Sequence, residues 1–250
     1  MRALTFAKRN FIEILRDPIS YIFGLGFPIV MLIVMTVINQ AIPPEAGPQV
    51  FQLKYLSCGI AVFGHTFIML SACILVSKDK SGAFLTRLYT SPMRALDFII
   101  GYALPLLAVA LLQTVVTFLG SFVIAGIVNE QLSVTGMMLA FPVLIPSAVL
   151  FVFLGIAFGF LLNDKSAPPV SSIIISMSGL LGGIWFEPSL VSSLYKVCKA
   201  LPFLNAVECA RAAATLSYGD ITIPLLITAA YAVLAVAVAC LSFSLHRKAK

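Results

Sequence analysis

The chain carries very little charge for its length. Asp, Glu, Lys and Arg make up 10% of its 250 residues, and 60% of the residues are hydrophobic. Soluble domains contain about 25% charged residues. A soluble fold of this composition would have too few polar side chains to cover its surface. The sequence therefore predicts a polytopic membrane protein.

Sequence motifs of several enzyme classes are also missing. The chain has no GxxxxGK[ST] loop that could hold the phosphates of ATP, and neither HExxH nor GxSxG occurs. We therefore expect no catalytic residues, no metal ligands and no cofactor in this chain.

Apart from Lys54 at the very start of the second apolar stretch, the predicted membrane cores contain no Asp, Glu, Lys or Arg. An ion-coupled carrier normally keeps an ionisable group at such depth, because that group does the work of transport. His65 is the only ionisable residue of this kind. This pattern indicates that energy for transport comes from outside the chain.

The cysteines and basic residues also narrow the function. Five cysteines occur without CxxC or zinc-site spacing, and Cys198 and Cys209 share one loop, which allows a disulfide between them. The net charge is +6, but the basic residues do not form one face, so we expect no nucleic-acid partner. We expect no cleavable signal, since the apolar run after Pro18 has the length of a full span.

Residues 1–17 predict an amphipathic helix that lies in the membrane interface. Its apolar side chains follow helical spacing and comprise Leu4, Ala7, Phe11, Ile14 and Leu15. The charged side chains face away and comprise Arg2, Lys8, Arg9, Glu13 and Arg16. Such a helix places its basic side among anionic head groups.

Six apolar stretches are long enough to cross a bilayer. They cover residues 19–38, 53–76, 98–128, 132–162, 169–186 and 221–245. Pro28 predicts a kink in the first of them, and the excess length of 98–128 and 132–162 predicts either tilt or kinks, at Pro105 and at Pro142 and Pro146. The predicted fold class is an all-α polytopic membrane protein with six transmembrane helices.

Two connecting segments have structure of their own. Residues 78–97 form a charged loop with a short amphipathic helix that Ser91-Pro92 ends, because proline disfavours helical geometry at the preceding residue. Residues 187–220 contain two short helical stretches broken at Leu201-Pro202. These are too short and too charged to cross the bilayer, so we expect a re-entrant hairpin at its outer face.

The distribution of Lys and Arg predicts the orientation. Of the sixteen, twelve lie in the N-terminal helix, the 78–97 loop, the loop with Lys165 and the C-terminal tail. The other four are Lys54, Lys196, Lys199 and Arg211. Because cytoplasmic segments carry the excess of basic residues, both termini are predicted to be cytoplasmic in a cell-membrane protein.

The loop sequence resembles the first cytoplasmic loop of type-2 ABC transporter permeases. The resemblance lies in Gly82, Arg87-Leu88 and Ser91-Pro92 between two spans, and Asp79 is the nearest match to an acidic residue that usually precedes the glycine. It extends over nearly the whole chain through Arg16-Asp17-Pro18, Phe27-Pro28, the 181–188 segment, Leu201-Pro202-Phe203 and Arg211. The chain differs in having Gly101-Tyr102 where the family often has Gly-Lys.

This resemblance implies a permease subunit of an ATP-driven exporter. Two permease copies, identical or related, would pair with two separate ABC ATPase subunits that bind ATP and Mg. The 78–97 segment would carry the coupling helix. By the resemblance, the residues that contact the ATPase are Arg9, Arg16, Gly82, Arg87, Leu88, Tyr89, Ser91 and Pro92.

Spans two and five supply an aromatic and sulfur-rich set of side chains. Such a wall suits a drug-like, antibiotic-like or lipid-like substrate, because its packing adapts. The predicted pathway residues are Phe63, His65, Phe67, Met69, Met177, Trp185 and Phe186. These side chains alternatively face lipid or neighbouring helices.

An outer gate is predicted from the charges of the hairpin. Its residues are Glu187, Glu208 and Arg211, with Glu208 and Arg211 spaced to pair at i, i+3. Trp185-Phe186 would form a hydrophobic plug below them.

Two other functions stay open from the sequence. One is an ion-coupled secondary carrier, against which the missing intramembrane charge and the lack of visible repeats argue. The other is a membrane assembly or scaffold protein without transport activity. The residues leave the substrate itself unspecified.

Overall fold

A computed structural model describes residues 2–18, 22–42, 49–82 and 95–248, and in these ranges all regular structure is helical. The α-helices are α1 (Arg2–Arg16), α2 (Phe27–Ala41), α3 (Leu53–Ser81), α4 (Ala95–Val128), α5 (Val134–Val143), α6 (Ile145–Leu161), α7 (Ala167–Leu181), α8 (Ser192–Ala200), α9 (Pro202–Ala214) and α10 (Thr222–Lys248). Short 3₁₀ turns cover Gln49–Phe51, Pro188–Leu190 and Tyr218–Asp220. The all-helical prediction is confirmed for the described chain.

Five segments of the described chain are long and apolar enough to cross a membrane. They are residues 24–41, 53–81, 96–128, 134–161 and 218–246. The sixth predicted span corresponds to α7, which has 15 residues. At 1.5 Å per residue it is about 22 Å long, short of the ~30 Å hydrocarbon core. The described ranges therefore contain five candidate spans of a multi-pass membrane protein, and a sixth crossing by α7 stays a proposal.

Two glycines explain why α7 ends at Leu181 rather than at the predicted residue 186. Gly183 has φ +64°, a left-handed conformation that glycine adopts without steric cost. A Cβ at Gly183 would lie 3.0 Å from Pro188 Cδ. The turn places Trp185 and Glu187 after the helix instead of on its last turn.

Prolines interrupt some helices and not others. The fourth span breaks at Leu144 between α5 and α6, where Pro142 and Pro146 remove two backbone donors. A π-helical turn, Ile22–Gly26, precedes α2, whose second residue is Pro28. Helix α4 continues through Pro105. The structure therefore has its irregular turns beside Pro28 and between Pro142 and Pro146.

Helix α3 forms the centre of the bundle. It contacts α4, α6, α7 and α9, and every residue from Leu56 to Met69 is buried. Two glycines of α6 allow close approach to it. A Cβ at Gly155 would lie 2.3 Å from the Met69 carbonyl oxygen, and one at Gly159 would lie 2.5 Å from Val76 Cβ. This GxxxG pair therefore packs α6 against α3 within one chain.

Helix α1 has three distinct faces rather than the two predicted. One face, with Phe6, Ala7, Asn10 and Ile14, is buried against the bundle, where α1 contacts α4. The Phe6 ring occupies the space over Gly101, whose Cβ would lie 2.2 Å from Phe6 Cδ1. A second, exposed apolar face consists of Leu4, Phe11 and Leu15. The charged residues form the third.

The segment predicted as a hairpin contains α8 and α9, joined at Leu201. All residues of α9 except Glu208 and Arg211 are buried. The amide nitrogen of Asn205 donates to the carbonyls of Lys199 (2.8 Å) and Leu201 (2.7 Å), which holds the turn together. How deep this hairpin enters the membrane stays a proposal.

The helix ends gather at two ends of the bundle. We call the first the terminal end: it holds α1, the last turn of α3, the first turns of α4 and the last turns of α6 and α10. We call the second the hairpin end: it holds α8, α9, the first turn of α3 and the segment after α7. Both ends of the described chain therefore lie at the same end of the bundle.

Candidate functional site

One buried carboxylate connects three helices at the terminal end. Asp79, in the last turn of α3, accepts hydrogen bonds from Arg9 Nη1 at 2.7 Å and Arg9 Nη2 at 3.1 Å. The Tyr102 hydroxyl of α4 donates to the same carboxylate at 2.8 Å. The Asp79 side chain is only 5% exposed. We call Arg9, Asp79 and Tyr102 the terminal clamp, because these contacts hold α1, α3 and α4 together.

Further polar contacts fix α1 around this clamp. Arg9 Nη2 also lies 2.6 Å from a Glu13 carboxylate oxygen, one helical turn away. The Asn10 amide donates to the Gly101 carbonyl at 2.9 Å. Burial lowers the pKa of Arg9, but the hydrogen bond and charge of Asp79 raise it by more, so the net shift is upward. The guanidinium of Arg9 therefore stays charged at physiological pH.

The predicted coupling residues lie next to the clamp or outside the described ranges. Gly82 ends α3 three residues after Asp79, and its N–H donates to the Lys78 carbonyl at 3.1 Å. Arg16 lies exposed at the end of α1. Five further predicted residues lie outside the part of the chain that the structure describes: Arg87, Leu88, Tyr89, Ser91 and Pro92.

Lys80 ties the end of α3 to the end of α6. Its ammonium donates to the Phe160 carbonyl at 2.9 Å and also to the Leu162 carbonyl. A cation at the last carbonyls of a helix is favoured by the helix dipole. The stretch that leads into the 83–94 segment is thus held to three other helices, by Asp79 to α1 and α4 and by Lys80 to α6.

An aromatic cluster joins span two to span one and to the segment after α7. The Phe63 and Trp185 rings meet edge to face with centroids 5.2 Å apart, and Phe63 and Phe67 are 5.3 Å apart. The Phe27 ring lies 4.9 Å from Phe67. We call Phe27, Phe63, Phe67 and Trp185 the aromatic wall. The structure therefore brings together three of the predicted pathway residues and adds Phe27.

His65 and Met69 point away from the aromatic wall. They lie two residues from Phe63 and Phe67, which rotates them to the opposite side of the helix. His65 is fully buried and its ring nitrogens lie 2.9 Å from Thr114 Oγ1 and 3.2 Å from Ser147 Oγ. Met69 is also fully buried. These side chains form contacts inside the bundle and not a surface shared with Trp185.

The remaining predicted pathway residues lie apart from the aromatic wall. Met177 is 42% exposed on the outer side of α7. Phe186 is half-buried after the Gly182-Gly183 turn. The predicted set is therefore divided among three places: the aromatic wall, the bundle interior, and an exposed face of α7 with its following turn.

Sequence reasoning missed several residues that the structure makes prominent. Tyr102 and Asn10 bind at the terminal clamp, and Gln113 and Thr114 place polar groups inside the bundle. A signal for the last two was present. Polar residues at 113, 114, 117 and 121 recur at helical spacing on one face of an otherwise apolar span.

The charges of the hairpin end pair differently from the prediction. Glu208 Oε2 lies 3.0 Å from Lys199 Nζ. Arg211 instead donates from Nε to the Tyr55 carbonyl at 3.2 Å and from Nη2 to the Gly183 carbonyl at 2.9 Å. The i, i+3 pair of Glu208 and Arg211 is therefore not formed, because each side chain has a partner on another element.

Arg211 thereby links the hairpin to α3 and to the turn after α7. Its guanidinium touches the first turn of α3 and the turn after α7, and a Cβ at Gly59 would lie 3.4 Å from its Nη2.

The cysteines of this region make no crosslink. Cys198 and Cys209 are both free thiols and both buried, so the disulfide that the sequence allowed is absent.

The electrostatics of Lys199 follow from its pairing. Burial lowers the pKa of Lys199, but the hydrogen bond with Glu208 and its charge raise it by more, so the net shift is upward.

Two clefts open on either side of this region, of 310 and 460 Å³, and both are lined by Tyr55, Glu208 and Arg211.

Comparison with known proteins assigns most of this architecture to one family. The family model for the ABC-2 type transporter matches residues 2–214, from the first residue of α1 to the last of α9. The match includes the terminal clamp, the aromatic wall and the hairpin. Among curated proteins, none matches the chain.

Proposed function

The chain belongs to the ABC-2 type transporter family, and on this premise we propose that it is the permease subunit of an ATP-driven exporter. Members of the family are membrane subunits that work with ABC ATPases. Two copies of this chain, or one copy and a related partner, would form the pathway, with two ATPase subunits on the cytoplasmic side. ATP and Mg would bind in those subunits.

The terminal clamp is the observation that carries the coupling proposal. The 83–94 segment begins directly after α3, and the last turn of α3 is tied to α1 and α4 through Asp79. A force applied to that segment by an ATPase would reach three helices as one unit, since the carboxylate bonds to both neighbours. Arg9 and Arg16 of α1 and Arg87, Leu88 and Tyr89 of the loop would contact the ATPase directly, with Gly82, Ser91 and Pro92 bounding the coupling helix.

The aromatic wall supports the proposed substrate class. Phe63 and Phe67 are buried, and Phe63 packs edge to face with both Phe67 and Trp185, so an apolar substrate would reach these rings only when the cluster opens. Met177, which lies apart from the aromatic wall on the exposed side of α7, would offer the substrate a separate contact. We propose a hydrophobic or amphipathic substrate, either drug-like or lipid-like.

The hairpin end would close the pathway between transport cycles. Arg211 holds α9 to span two and to the turn after α7 through two carbonyls. Glu187 and Glu208 lie beside it, and Trp185-Phe186 would exclude water below. Opening the gate would require these carbonyl contacts to break, which makes Arg211 rather than a Glu208–Arg211 pair the element that holds it shut.

Reconstitution with an ABC ATPase tests the proposal. The chain and its ATPase are placed in proteoliposomes, and uptake of a lipophilic dye into inverted vesicles is followed with and without ATP. We expect ATP-dependent uptake and ATP hydrolysis that substrate stimulates. Leu88→Asp should abolish both, while Leu88→Met should keep both, because only the first places a charge at the proposed contact.

The rival functions give different outcomes in the same vesicles. Uptake that follows an imposed ion gradient and ignores ATP would identify a secondary carrier. A chain that binds the ATPase but moves no compound under either energy source would indicate an assembly role. Normal coupling in the Leu88→Asp variant would show that the loop only sets orientation.

A further inference from the structure

Two polar groups beside the aromatic wall are unpaired within the part of the chain that the structure describes. Ser178 of α7 is fully buried, and its hydroxyl makes no hydrogen bond there. The indole nitrogen Nε1 of Trp185 has no hydrogen-bond partner there either. Both groups lie near one point of α7, because a Cβ at Gly179, the residue after Ser178, would lie 2.5 Å from Trp185 Nε1.

Serines on the other side of α7 are paired. Ser172 donates to the Pro168 carbonyl and Ser176 donates to the Ser172 carbonyl, each at 2.9 Å, and both side chains are exposed. A serine inside a helix can satisfy its hydroxyl in this way, through the carbonyl four residues earlier. Ser178 belongs to the same helix but lacks such a bond, and it lies on the buried side of α7, which packs on α3. Its hydroxyl is therefore available to another partner.

The Trp185 ring packs over this part of α7 without a hydrogen bond to fix it. The chain turns at Gly183, and the indole folds back onto Gly179 and meets Phe63 edge to face at 5.2 Å. A buried indole N–H usually has a hydrogen-bond partner. Here ring packing holds the half-buried Trp185. Displacement of the ring would therefore break no hydrogen bond, and it would open the surface of α7 around Gly179.

We propose, on the basis of the transport function above, that Ser178 and Trp185 select substrates that carry a hydrogen-bond acceptor. An unpaired polar group inside a protein costs free energy, because it has lost its hydrogen bonds to water. When the aromatic wall opens, a carbonyl or ether oxygen of the substrate accepts from the Ser178 hydroxyl and the Trp185 N–H. The rings bind the apolar part of the substrate, and these two donors orient its polar end.

Fluorenone and fluorene test this selection, since both have the same three fused rings and only fluorenone has a carbonyl group. The chain and its ATPase are reconstituted in liposomes, and stimulation of ATP hydrolysis gives the half-maximal membrane concentration of each compound. Partition into protein-free liposomes corrects for solubility in lipid. We expect the original chain to respond to fluorenone at about fivefold lower concentration than to fluorene, which is the effect of one or two hydrogen bonds.

Matched variants assign the selection to the two donors. Ser178→Ala should reduce the concentration ratio to about twofold, and Ser178→Ala combined with Trp185→Phe should remove it. Ser176→Ala, on the exposed side of α7, should keep the fivefold ratio of the original chain. The ratio separates selection from stability, because a loosened α7 would weaken the response to both compounds alike. Gel filtration and thermal unfolding show whether each variant is folded.

Two results would overturn the proposal and leave the transport function intact. One is ATP-dependent uptake of the lipophilic dye together with equal responses to fluorenone and fluorene. The other is an undiminished ratio in a folded variant that carries both Ser178→Ala and Trp185→Phe. A complex that takes up no dye with ATP would instead contradict the transport function, and the selection with it.

Discussion

The guanidinium of Arg9 binds the carboxylate of Asp79 through two hydrogen bonds of 2.7 and 3.1 Å across 70 residues of sequence. The arrangement is bidentate, which gives an ion pair directional specificity as well as energy. Tyr102 binds the same carboxylate, so α1, α3 and α4 share one anchoring group. Asp79 thus helps to set the position of α1 on the bundle, together with the Asn10 hydrogen bond and the packing of Phe6 over Gly101.

Removal of that charge should loosen α1. We expect Asp79→Asn to destabilise the folded chain by about 1–2 kcal/mol, less than for a fully buried pair because the Arg9 side chain is 36% exposed to water. Thermal unfolding in detergent measures the loss, and Lys8→Gln on the exposed side of α1 is the control. In a double-mutant cycle with Arg9→Gln, strictly additive losses would show that the pair contributes no coupling energy.

The glycines of α6 provide a second test. Gly155→Val should lower the unfolding temperature strongly, because its Cβ would lie 2.3 Å from the backbone oxygen of Met69 in the bundle centre. Gly126→Val in α4 is the matched control, since a Cβ there meets no atom within 4 Å. If both variants unfold at the same temperature, the close packing of α3 and α6 is not required for stability.

The orientation predicts which residues an impermeant thiol reagent reaches. In a variant without the native cysteines, Gly82→Cys should stay unlabelled in intact cells and become labelled after permeabilisation. Ser193→Cys, exposed on α8, should be labelled in intact cells. These expectations follow from the excess of basic residues at the terminal end. Labelling of position 82 in intact cells would reverse the proposed topology.

Loss of the aromatic plug should uncouple the transporter. In the complex with ATPase, Trp185→Ala combined with Phe186→Ala should raise basal ATP hydrolysis or leak of small substrates, because the ring contact of Trp185 with Phe63 at 5.2 Å is removed. Trp185→Phe retains a ring and should stay near the original rate. An unchanged rate and no leak in the double variant would place the plug elsewhere and leave these residues as membrane anchors.

Local features of the chain could be predicted because their signals lie close together in sequence. Apolar length indicated the long helices, and prolines at 28, 142 and 146 indicated irregular turns that the structure has. The stop at Leu181 was also encoded locally, in Gly182-Gly183, but the apolar residues that follow them concealed it. A hydropathy pattern does not register where the backbone leaves helical geometry.

Contacts between distant segments could not be predicted in the same way. The sequence placed Asp79 in the charged 78–97 loop, because no residue near it in the chain indicates that Arg9 and Tyr102 are its partners. Glu208 and Arg211 have the spacing of a helical pair, but carbonyls of Tyr55 and Gly183 compete for the guanidinium once the bundle is packed. Phe63 and His65 lie two residues apart on α3, so helical geometry alone puts them on opposite faces and excludes a single surface that contains both.

Phe6 packs over Gly101, and the Asn10 side chain donates to the carbonyl of the same glycine, 91 residues further along the chain. These contacts have a consequence for biosynthesis. Helix α1 is synthesised before α4, so its binding surface on α4 does not yet exist when α1 leaves the ribosome. During that interval the side chains of Phe6 and Ile14 lack the surface of α4 against which they are buried in the folded chain. We therefore expect docking of α1 to wait until α4 has been made, with the exposed side chains Leu4, Phe11 and Leu15 in contact with the membrane surface in the meantime.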